Sequence, residues 1–143
     1  MLDALTTEAR TVTYDDLPWL LSLAYRRYRS FDPGKTLSWL VEVIRSPQAL
    51  VLRDDDACCI TVITTSPWHT PTESEAHVVF AFADKGKHWQ LVRLLRQSVQ
   101  WARMRGCKLW RCHSDTEYDV GVLAKRIGAK QAPQRWLIAF DGQ

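Results

Sequence analysis

At 143 residues, 46% apolar and 24% charged, the chain has the size and composition of one globular domain, which excludes disordered, collagenous and coiled-coil classes. No apolar run approaches the roughly 20 residues of a membrane helix, and Met1 to Glu8 carries acids and no basic segment, so it does not read as a secretion signal and an intracellular protein is expected. The net charge of +3 hides an asymmetry: Lys85 to Arg111 holds eight basic residues and no acid, against eleven basic and sixteen acidic residues in the remainder.

Thr11 to Tyr14 reads as a short strand. Asp15 or Asp16 is suited to cap the next helix, with Pro18 in its first turn. Leu17, Leu20, Leu21, Ala24 and Tyr28 then recur at helical spacing, and Phe31-Asp32-Pro33-Gly34 stops the run. A second helix spans about Thr36 to Arg45, with Leu37, Leu40, Val41 and Ile44 on one face. Ala49 to Arg53 and Ala57 to Thr65 form a hairpin around Asp54-Asp55-Asp56. Those aspartates lack the glycine and distant glutamate of a calcium loop and read as a solvated turn.

Ser66 to Glu75 is a proline-containing loop with Trp68-His69 at its tip. Ala76 to Ala83 is nearly continuously apolar, as in a central strand buried on both faces. After Asp84-Lys85-Gly86-Lys87, a long helix runs from His88 to Arg105, with Leu91, Leu95, Ser98 and Ala102 as its buried stripe and Gly106 as its stop. Cys107 to His113 is a strand, about Glu117 to Ile127 a helix ending at Gly128, and Gln134 to Phe140 the last strand.

This order predicts an α+β domain spanning residues 1–143, with a mixed sheet and helices on both faces. The strands at Ala76–Ala83 and Cys107–His113 should lie side by side in parallel, joined by a right-handed crossover through the long helix. The four cysteines form no CxxC pair; Cys58 and Cys59 leave their strand on opposite faces, as do Cys107 and Cys112, and no metal centre is expected.

The same order and spacing, from Thr11 to Phe140, resembles the GNAT superfamily of N-acetyltransferases. The densest part is Val78-Val79-Phe80-Ala81-Phe82-Ala83-Asp84-Lys85-Gly86-Lys87, the long helix after it, and Ala124-Lys125-Arg126-Ile127-Gly128. The resemblance implies an acetyl-CoA site at Phe82, Ala83, Lys85, Gly86, Lys87, His88, Trp89 and Gln90, where the family's loop holds a pyrophosphate on backbone N–H groups and a helix N-terminus. This chain departs from the family in two places. His88 and Gln90 stand where the family uses small residues, and Ala124 stands where it often carries a tyrosine acid. Tyr118 lies six residues before Ala124, out of reach of the same place.

If acyl transfer occurs, the candidate bases are His113, Glu75 and Asp84, each near a strand end. The departures favour the other reading, a degenerate member of the fold that serves as a protein-binding or structural subunit. The chain is also loosely similar to acetyltransferase-like proteins of tailed phages, some of them virion components, so a phage particle is a second expected location. Arg93, Arg96 and Arg103 share one side of the basic helix and, with Trp68, are the candidate contacts for an acidic protein partner or another copy. No nucleic-acid recognition module and no membrane segment are recognised.

Overall fold

A computed structural model of the chain describes residues 10–27, 32–54, 56–65, 74–112 and 120–130. Within them one five-stranded sheet runs in the order β1 (Arg10–Thr11), β2 (Ala49–Asp54), β3 (Ala57–Thr64), β4 (Glu75–Ala83) and β5 (Leu109–Cys112). The helices are α1 (Leu17–Arg27), α2 (Pro33–Arg45), α3 (His88–Met104) and α4 (Val120–Arg126). β1 to β4 pair antiparallel, while β4 and β5 pair in parallel from Glu75↔Leu109 to Val78↔Cys112. The parallel pair joined through α3 is the arrangement expected from the strand–helix–strand order. No helix among the described residues is long and apolar enough to cross a membrane.

Two apolar layers flank the sheet, and period-two alternation sorts side chains between them. Leu52, Ala57 and Cys59 join Leu91, Leu94, Leu95 and Leu123 on the α3–α4 side. Val51, Cys58 and Ile60 join Leu20, Leu23, Leu40 and Val43 on the α1–α2 side. The adjacent cysteines thus go to opposite layers, as their spacing required. Leu91, Leu94 and Leu95 are fully buried, each contributing about 1.5–3 kcal/mol by removal from water.

Several boundaries differ from the sequence expectation. β1 ends at Thr11, and Tyr14–Asp16 form a 3-10 turn instead of the end of a strand. The cause is local: the Thr13 backbone N–H donates to Asp16 Oδ2 at 2.9 Å, which bends the chain. Asp32 caps α2 by accepting from the Lys35 N–H at 3.0 Å, with Pro33 opening the helix. The segment that reads as a stop is therefore also a start. Cys107, expected to open the strand, precedes β5. His113, Trp68, Tyr118 and the strand expected at Gln134–Phe140 lie outside the described residues.

β4 contains a feature absent from the sequence reading. Its register against β3 shifts between Ile60↔Phe80 and Thr61↔Val78, so Val79 is an extra residue in the strand. This β-bulge resets the alternation: Val78 and Ala81, three apart, face the same layer. The bulge immediately follows Val78↔Cys112, the last described β4–β5 pair.

Candidate functional site

The chain leaves β4 through a tight turn into α3. The Lys87 N–H donates to the Asp84 carbonyl at 2.9 Å, and Gly86 adopts φ +84°, a conformation that glycine reaches without strain. A Cβ at Gly86 would meet nothing within 4 Å, so backbone conformation, not crowding by the protein, selects glycine there. The Asp84 N–H bonds the Asp56 carbonyl at 3.2 Å, and Arg26 binds its carboxylate through Nε at 3.1 Å and Nη2 at 3.0 Å. The turn is thus anchored by the β2–β3 connection and by α1.

Lys87 is the N-terminal flanking residue of α3, and no side chain caps this end. The first backbone N–H groups of a helix have no intrahelical acceptor and carry partial positive charge. Beside them lies a cleft of about 190 Å³ lined by His88, Trp89, Val92, Val122, Leu123 and Arg126. The Arg126 guanidinium sits 5.1 Å from the centroid of the Trp89 ring. Of the expected cofactor residues, Lys85, Gly86, Lys87, His88, Trp89 and Gln90 form this turn and helix start. Phe82 and Ala83 end β4, Phe82 against the α1–α2 layer and Ala83 in the α3 layer. Ala124 is buried on α4 and supplies no hydroxyl to the region.

Of the candidate bases, Glu75 and Asp84 are not brought together, and His113 lies outside the described residues. Asp84 follows the last residue of β4 and Glu75 is its first, so the strand separates them by roughly 30 Å at about 3.3 Å per residue. Glu75 accepts from Arg111 Nη2 at 2.9 Å and lies 3.8 Å from Lys108 Nζ and 3.5 Å from His77 Nε2. His77 was missed in the sequence because it sits inside an apolar run. Its alternation with Glu75 is the signal that could have found it, since both project from the same side of β4 shortly before the bulge. Two buried hydroxyls and an indole N–H link three elements behind this strand. Thr61 Oγ1 and Ser98 Oγ are 2.6 Å apart, and Trp110 Nε1 donates to Ser98 Oγ at 2.8 Å. Burial pushes the neighbouring Cys59 thiol up to about 12, which keeps it protonated and unreactive.

The basic segment from Lys85 to Arg111 is partly neutralised by its own chain. Arg93 Nη1 lies 3.3 Å from Asp54 Oδ2, while Glu75 draws in Lys108 and Arg111. Arg96 and Arg103 remain on the exposed face of α3. Among the described residues no group of three or more His, Cys, Asp or Glu side chains could hold a metal ion.

A mixed sheet with a bulged fourth strand, a crossover helix and a turn at its head matches the fold of solved acetyltransferases. The sequence matches no protein-family profile and no curated protein. In three dimensions the chain is similar to the aminoglycoside 6'-N-acetyltransferase AAC(6')-IG of Acinetobacter haemolyticus, with a TM-score of 0.76 at 14% identity over 96% of this chain and 100% of that one. It is similar to an acetyltransferase of Trypanosoma brucei, with a TM-score of 0.71 at 12% identity over 93% of this chain and 99% of that one. A transcriptional regulator from Bacillus halodurans C-125 also superposes, with a TM-score of 0.73 at 14% identity over 92% of this chain and 98% of that one.

Proposed function

We propose that this chain is a divergent GNAT-fold protein that works as a protein-binding or structural subunit and does not transfer acetyl groups. The observation that carries the reading is the first turn of α3. A pyrophosphate held on backbone N–H groups needs close approach, and this turn carries the side chains of His88, Trp89 and Gln90. Lysines beside it attract phosphate as flexible point charges and do not replace a preformed cradle. The residues present therefore do not fit acetyl-CoA as a resident cofactor. The buried Ala124 supports the same reading, because no proton donor for a departing thiolate stands at that position. An assembled phage particle is one setting proposed for this role, on the loose resemblance of the sequence alone.

Acyl transfer to an amine is the second reading, and the Val79 bulge favours it, since bulges concentrate beside active sites. Calorimetry with acetyl-CoA separates the two. The binding reading expects dissociation weaker than about 100 μM, and a value near 1 μM, about −8 kcal/mol, overturns it.

A further inference from the structure

We infer that the cleft at the head of α3 and the exposed ridge running down that helix form one docking surface, and that its occupant is an acidic protein segment carrying a single large apolar side chain. This rests on the binding reading above and names the partner's chemistry.

The cleft supplies the anchor. Val92 and Leu123 form its buried floor, while Trp89 is 66% exposed and Val122 is 55% exposed at its rim. Apolar surface left at the edge of a buried floor gains most from being covered, and aromatic residues in such notches tend to dominate binding. Arg126 holds the Trp89 ring, so little side-chain freedom is lost on docking. Size limits the occupant. Pockets for whole small molecules run roughly 300–1,000 Å³, whereas about 190 Å³ suits one side chain.

Charge selects the rest of the segment. None of the six lining residues is an acid, and Lys85 and Lys125 are exposed in the turn and helix that supply the lining. Trp89, Arg96 and Arg103 recur every seven residues with Gln100 between the arginines, so they follow one side of α3 over about 21 Å. All four side chains are exposed. The surface thus has an apolar end and a cationic length, the complement of an apolar residue followed by acids. A nucleic acid would leave the aliphatic side of the cleft, Val122 and Leu123, without a matching group.

The test is selection of a short random-peptide library on the intact chain, with counter-selection on Val122→Asp. Trp89 and Val122 are exposed, so their variants should keep the wild-type melting temperature, which is checked first. Enriched peptides should carry one large apolar residue beside several acids. They should bind Trp89→Ala and Val122→Asp roughly tenfold more weakly than wild type. Arg96→Glu/Arg103→Glu should weaken them further, and so should added salt. Enrichment of peptides without acids, affinity indifferent to these variants, or preferential capture of a single-stranded oligonucleotide overturns the inference. Acetyl-CoA run in parallel separates the two levels. Tight acetyl-CoA binding lost in Trp89→Ala overturns the binding reading as well, whereas failure of both peptides and acetyl-CoA overturns the docking surface alone.

Discussion

Arg26 on α1 grips both carboxylate oxygens of Asp84, which lies 58 positions away at the end of β4. The clasp ties a helix on one side of the sheet to the turn that launches the helix on the other.

Because the pair is substantially exposed, its contribution to stability should be small. Arg26→Ala and Asp84→Ala should each lower unfolding free energy by about 0.5–1 kcal/mol, and the double variant by little more than either alone. Urea titration of the three variants measures this; strict additivity would mean that the two groups act independently.

Asp16 should control acid stability. It is buried, and hydrogen bonds from Arg10 at 2.8 and 2.9 Å and from Arg53 at 2.8 Å, with that from the Thr13 N–H, hold its carboxyl well below its ordinary value of 3.8. A depressed folded value means that the unfolded chain takes up the proton first, so the stabilisation is complete above 3.8 and is lost as pH falls below it. Asp16→Asn should cost about 2 kcal/mol at neutral pH and flatten the decline below pH ~4. Melting temperatures across an acid series check both the size and the direction.

Ser98 joins β3, α3 and β5 through Thr61 and Trp110. Ser98→Ala leaves a buried hydroxyl and an indole N–H without this partner and should cost about 1–3 kcal/mol. Pairing it with Thr61→Val should recover part of that loss, because one of the stranded groups is then gone. Chemical denaturation of the single and double variants tests this.

The head of α3 makes a direct prediction about the cofactor. If the side chains of His88 and Gln90 are what exclude a pyrophosphate, His88→Gly/Gln90→Gly should raise acetyl-CoA affinity roughly tenfold or more. The change should cost about 1 kcal/mol of helix stability per glycine. Calorimetry of the variant beside the wild type decides it, and unchanged affinity would put the obstruction elsewhere.

The fold was legible where periodicity was strong. Leu91, Leu95, Ser98 and Ala102 outline the buried stripe of α3, and the strand–helix–strand order implied the parallel β4–β5 pair. The Val79 bulge was not legible, because a run from Val78 to Ala83 without polar residues carries no alternation by which a one-residue slip could be read. Asp54 as the partner of Arg93 was hidden for a different reason. An acid in a turn motif looks solvated, and only the sheet carries it beneath α3. The cleft joins Trp89 to Val122 and Arg126 across more than thirty residues, a contact that no local pattern encodes.

The bulge gives β4 two reading frames. Below Val79 the strand shows Val78 to the α3 layer; above it, Ala81 and Ala83. Phe80 and Phe82 consequently fall on the opposite side, against α1 and α2. Were Val79 deleted and the lower half kept in place, the phenylalanines would be delivered under α3 and the alanines under α1 and α2. One inserted residue therefore keeps the thin wall of the sheet beneath α3 and the thick wall on the far side. The distance at which α3 rides over the sheet, and with it the height of the turn at its head, is set by a single frame-shift in the strand beneath.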